Sequence, residues 1–133
     1  MRKKKVDNGK YPELTKFEMR IMKIIWDNKK PISVQEVMNT MNEKYAQNYA
    51  RTTISTYAGH LVNKGYISSY RDGMVFYYEP VIDEKDYLAY INEEYANFWY
   101  NGSIADMMSA ICKDVKISNE DKKKLVELIE KLK

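Results

Sequence analysis

Residues 49–65 read YARTTISTYAGHLVNKG, and this stretch decides the fold. At helical spacing Ile54, Tyr57, Ala58 and Leu61 fall at i, i+3, i+4 and i+7, one apolar stripe. The other side carries Thr52, Ser55, Thr56, Gly59, His60 and Asn63. An ordinary solvated face would use Glu and Lys, which favour helix. Hydroxyls and one imidazole suit close approach to base edges in a major groove better. Gly65 is placed as a left-handed cap, and Lys64 complements the negative end of the dipole.

The surrounding charge agrees. Lys44, Arg51, Lys64 and Arg71 are the fixed charges between 44 and 71, with no Asp or Glu among them. A polyanionic duplex attracts cations and repels carboxylates. Arg51, Thr52, Ser55, Thr56, His60 and Arg71 are therefore the candidate DNA contacts.

Upstream, Thr15 and Glu18 form a T-x-x-E capping box, with Leu14 and Met19 spaced as a hydrophobic staple. Phe17, Ile21, Ile24 and Ile25 make the buried stripe, widened by Met22 and Trp26, until Asn28–Pro31 ends the helix. A second helix starts alike: Ser33 and Glu36 as the box, Ile32 and Val37 as the staple, then Val34, Met38 and Met41. After a loop over 44–49 the polar-faced third helix follows, the order of a helix-turn-helix. Downstream the period becomes two. Residues 66–71 and 74–80 read as strands around Asp72-Gly73, a hairpin signal, closed by Pro80. A hairpin directly after the third helix is a wing, with Arg71 at its tip for a phosphate or minor-groove contact. The basic start, MRKKK, reads as a loose arm.

The tail differs in kind. Tyr87, Ile91, Tyr95 and Trp99 recur every four residues, with Leu88 and Phe98 beside them. Asn101-Gly102 breaks this helix and Ser103 restarts it. Ile104, Met107, Met108 and Ile111 form the next stripe, and Ser118 caps a helix carrying Leu125, Leu128, Ile129 and Leu132. Such helices have little core of their own, so a homodimer seam over these residues is expected, and two-fold symmetry matches two half-sites. The domains read as 1–82, basic arm and DNA-binding, and 83–133, helical dimerisation region. Residues 1–82 hold 14 Lys/Arg against 8 Asp/Glu, and residues 83–133 hold 8 against 11, so a net of +6 faces a net of −3.

At 133 residues and 44% apolar the chain is globular. No apolar run reaches the ~18 residues that span a membrane, and the start lacks the apolar segment of a signal peptide. Cys112, the single cysteine, excludes an internal disulfide and joins an apolar stripe as a small buried hydrophobe. A cytoplasmic setting follows. His60 has no neighbouring Cys or His to hold a metal, and no catalytic set or phosphate loop is present. No cofactor is expected, and the chain is not read as an enzyme.

The order Leu14-Thr15…Glu18…Ile24-Ile25-Trp26, Thr53-Ile54-Ser55-Thr56…Leu61-Val62-Asn63-Lys64-Gly65-Tyr66-Ile67, Phe76-Tyr77-Tyr78 and Gly102-Ser103 resembles the penicillinase-repressor family of BlaI/MecI type. The resemblance covers about residues 12–132. It implies a mainly α, winged helix-turn-helix repressor that acts on DNA as a dimer, with reading contacts on Thr52, Thr53, Ser55, Thr56 and His60. It also implies a setting in antibiotic response, where some members are cleaved by a regulatory protease. The chain departs from the pattern at His60, where Arg is frequent, at Tyr49 and at Ala50. Ala110-Ile111 stands in a buried stripe where cleaved members have Asn-Phe, and the copper-binding cysteines of other relatives are missing. The competing readings are a winged helix that binds protein, and a repressor with an effector site in the tail.

Overall fold

A computed structural model describes residues 10–132. Its elements run α1 (Lys16–Asp27), β1 (Ile32–Ser33), α2 (Val34–Tyr45), α3 (Arg51–Asn63), β2 (Ile67–Asp72), β3 (Val75–Pro80), α4 (Glu84–Tyr100), α5 (Ile104–Asp114) and α6 (Asn119–Lys131). The fold is mainly α with a winged helix. The chain divides into two compact units, one ending at Tyr90 and one starting at Ile91. The basic MRKKK arm lies outside the described residues.

In the first unit both expected capping boxes form. The Thr15 and Ser33 side chains accept from the N–H groups of Glu18 and Glu36, and each glutamate answers on the cap's own N–H. These bonds satisfy helix-end donors that would otherwise be orphaned. Ile32 and Val37 are buried as their staple requires. The first staple is not made: Leu14 is buried, but Met19 stays 46% exposed on the outer side of α1. Ile21, Met22, Val37, Met41, Ile54, Ala58 and Leu61 have no exposed surface, so three helix stripes meet in one core.

The sheet has order β1-β3-β2 and is antiparallel. The pairing Asp72↔Val75 moves the turn to Gly73-Met74, one residue later than Asp72-Gly73. Gly73 takes φ +65°, a left-handed conformation glycine adopts without steric cost. β1 is an addition: Ile32 and Ser33 pair with Tyr78 and Tyr77, and two residues are too short to show a period. The segment after the wing is tied back to α1. Trp26 Nε1 donates to the Ile82 carbonyl at 2.9 Å, and Lys23 pairs with Glu84 at 3.1 Å.

In the second unit Ser103 and Ser118 cap α5 and α6, each accepting one backbone N–H. Neither helix buries a residue. Tyr95, Trp99, Ile104, Ile111, Leu128, Ile129 and Leu132 are exposed, while Ile91, Met107, Met108 and Leu125 are half-buried. Three expectations are corrected. Tyr87 is not available to a seam: it is buried in the first unit, with ring contacts to Trp26, Tyr66 and Tyr11. Cys112 is exposed, on a helix that buries no residue. Ala110-Ile111, on the same helix, is not buried either.

Candidate nucleic-acid interface

The third helix carries its polar side outward, as its sequence demands. Ile54, Ala58 and Leu61 point into the core, and Arg51, Thr52, Ser55, Thr56 and His60 are exposed. Thr53 is half-buried at the margin. The helix stops where Gly65, at φ +83°, turns the chain, and Tyr66 N–H closes onto the Leu61 carbonyl at 3.0 Å.

Two residues outside α3 set where it begins. Asn42 on α2 grips the backbone of Tyr49 at both ends: its Nδ2 donates to the Tyr49 carbonyl at 3.1 Å, and its Oδ1 accepts the Tyr49 N–H at 2.7 Å. The Tyr49 ring meets Phe17 edge-on at 5.0 Å, and Phe17 lies 4.4 Å from the Tyr57 ring. Ala50 caps α3 without any side-chain bond, so the first N–H groups of the helix keep no side-chain acceptor.

Not every hydroxyl on this face is free. Thr56 Oγ1 donates to the Thr52 carbonyl at 2.9 Å, which leaves it as an acceptor beside its methyl group. Burial raises the pKa of the Tyr78 phenol, and the Ser55 side chain opposes part of that rise. Thr52 and Arg51 face solvent.

Behind His60 stands Glu18, 1% exposed. Its Oε1 accepts the Thr15 N–H at 2.8 Å and Lys64 Nζ at 2.6 Å, and its Oε2 lies 3.9 Å from His60 Nδ1. Burial by itself would raise the carboxyl's pKa. The bonds from Lys64 and Thr15 outweigh it and hold the pKa below its ordinary value. Lys64 also donates to the Glu13 carbonyl at 2.8 Å, so it clamps α3 to the entry of α1.

On the wing, Arg71 pairs with Phe76, one step from the turn. Its guanidinium lies 5.3 Å from the Phe76 ring, and Nη2 donates to Met74 Sδ at 3.8 Å. Met74 is 87% exposed. The structure thus puts Thr52, Thr56 and His60 on one exposed stripe of α3, Arg51 at the start of that helix and Arg71 on a separate hairpin. The sequence reading missed Asn42, Tyr78 and the second role of Glu18. Their partners stand seven, 23 and 46 positions away, beyond any periodic signal. Among the described residues no group of three or more His, Cys, Asp and Glu is placed to hold a metal ion. None of the described helices is long and apolar enough to cross a membrane.

A family model described as penicillinase repressor matches residues 14–131. The penicillinase repressor of Bacillus licheniformis is 29% identical over 121 residues, which cover 91% of this chain and 92% of that protein. The methicillin resistance regulatory protein MecI of Staphylococcus aureus is 24% identical over 126 residues, 95% of this chain and 99% of its own. Among solved structures, the DNA-binding domain of the repressor BlaI superposes with a TM-score of 0.50 at 33% identity, covering 59% of this chain and 92% of that one. RosR of H. salinarum superposes with a TM-score of 0.53 at 18% identity over 88% of this chain and 90% of its own, a likeness of fold.

Proposed function

The chain belongs to the penicillinase-repressor family of DNA-binding transcriptional repressors, and we propose that it acts as a homodimer occupying a two-fold operator. The observation that carries this reading is the third helix: an exposed hydroxyl face backed by a stripe with no exposed surface. A helix held this firmly from behind presents its outer face as a rigid unit, which base reading in the major groove requires.

Residues 1–82 are proposed as the DNA-binding domain, with contacts from Arg51, Thr52, Thr53, Ser55, Thr56 and His60. Arg71 makes a further contact from the wing. Residues 83–133 are proposed as the dimerisation region, with Tyr87 left out of the seam because its ring is used inside the first unit. Its exposed aromatics and aliphatics support this: isolated, a surface with Trp99 at 64%, Ile129 at 64% and Leu132 at 68% exposure would be an aggregation liability. Family members are repressors and not enzymes, and the proposed setting is the cytoplasm, in control of antibiotic-resistance genes as the relatives' names indicate. A regulatory protease rests on resemblance alone and forms no part of this proposal.

A gel-shift salt titration with operator DNA tests it. Affinity falls steeply with salt, with a log–log slope of roughly 0.9 per phosphate neutralised. Thr56→Glu puts a carboxylate into the groove and abolishes binding with the fold unchanged by circular dichroism. Full binding by that variant would remove α3 from the groove.

A further inference from the structure

Glu18 does two things at once, and only one of them is structural. Oε1 is fully used by the Thr15 N–H and Lys64. Oε2 looks instead toward His60 on the outer face of α3, 3.9 Å from Nδ1. That separation is too long for a hydrogen bond but short enough for an ion pair once the imidazole is charged. His60 stands four residues after Thr56 and eight after Thr52, so it shares their stripe, and its side chain is 51% exposed.

We propose that Glu18 is a positioning residue for DNA binding: its Oε2 is the counter-ion that lets His60 meet the operator as an imidazolium, donating from Nε2 to an acceptor on the DNA. This rests on the reading of α3 as the groove-facing helix. A neutral imidazole has one N–H to give, whereas the protonated ring has two. With Nδ1 turned to the carboxylate, Nε2 is the nitrogen left for a ligand. A duplex lays phosphates and guanine N7/O6 acceptors against this face, so a proton taken up on binding is paired on both sides. The groups around His60 are Glu18 on α1, Tyr57 on α3, edge-on at 5.3 Å, and Lys64 at the C-cap of α3, which shares the Glu18 carboxylate. Lys64 opposes a second positive charge, but its ammonium is engaged by Glu18 Oε1 and the Glu13 carbonyl. Among the described residues α2 and β2 bring no ion-pair partner to the ring.

The test is operator affinity by fluorescence anisotropy from pH 5.5 to 8.5 at constant ionic strength, with the full chain. The wild type binds about fivefold more tightly at pH 6 than at pH 8, as uptake of one proton linked to binding would give. His60→Gln flattens the profile. Glu18→Gln keeps the capping box, because Gln serves at that position, yet loses most of the pH slope. The chain has a single histidine, so NMR follows its titration directly, and the midpoint rises when operator is added. If Glu18→Gln does not fold, that wild-type midpoint decides, and an unmoved midpoint overturns the proposal. A flat wild-type profile, or a full slope in Glu18→Gln, also overturns it. Both outcomes leave the groove reading standing as long as Thr56→Glu still abolishes binding. Failure of the wild type to bind operator at all overturns that reading as well. Replacing operator guanines with 7-deazaguanine separates the acceptors: loss of the pH slope assigns guanine N7, and its retention O6 or a phosphate, either of which supports the imidazolium contact.

Discussion

In the first unit Ile21, Val37, Met41, Ile54, Ala58 and Leu61 have lost all contact with solvent, whereas α5 and α6 bury no residue at all. The two regions do not differ in local quality. Thr15, Ser33, Ser103 and Ser118 all cap their helices with side-chain bonds. Both regions carry apolar stripes at helical spacing. The difference lies in what stands opposite each stripe. Three helices and a sheet enclose the first core, while the stripes of α5 and α6 leave Ile104, Ile111, Leu128 and Ile129 exposed and bury no residue fully. A well-capped amphipathic helix is therefore a demand for burial, and a second chain is the proposed way the tail meets it.

Four experiments break or sharpen this contrast. The largest effect falls on the closed core. Leu61→Ala removes a fully buried side chain and costs about 2–5 kcal/mol in urea denaturation, independent of protein concentration. A cost below 1 kcal/mol would mean the core is not closed around α3. Next comes Ile129→Asp in the tail, which halves the mass in sedimentation and lowers operator affinity roughly a hundredfold by removing the second half-site's contribution. An unchanged mass would discard the proposed seam.

Third, Lys64→Met leaves Glu18 buried without its cation and costs about 1–3 kcal/mol at neutral pH. The folded-state pKa of Glu18 is depressed, so its stabilisation is present above the carboxyl's ordinary value and lost as pH falls through the folded one. The gap between variant and wild type therefore closes on acidification, and a gap that persists at low pH would assign the cost to packing. The smallest effect is a matched pair of caps. Thr15→Ala and Ser118→Ala each cost about 1 kcal/mol locally. The first lowers the melting temperature at every concentration, and the second does so mainly in dilute protein. Equal behaviour would mean the two regions fold as one.

The resemblance read over about residues 12–132 holds, and so does the winged-helix order, because each rests on local chemistry. Capping bonds span three residues, helical stripes span four, and a hairpin turn needs one glycine. The wing shows the limit. Its turn came one residue later than Asp72-Gly73, since register depends on which strand residues the core claims. Met19 shows it too: correct staple spacing cannot say whether a partner lies on that side.

By itself the sequence determined the helices, their caps, the polar side of α3 and the hairpin, all of which are settled by interactions within a few residues. Only the tertiary structure decided that Lys64 reaches Glu18 across 46 positions, that Asn42 grips the Tyr49 backbone, that Tyr87 joins the first unit's aromatic core, and that Cys112 stays exposed. Those outcomes depend on which surfaces meet when distant segments pack, and periodicity along a chain says which face is apolar without saying what will cover it.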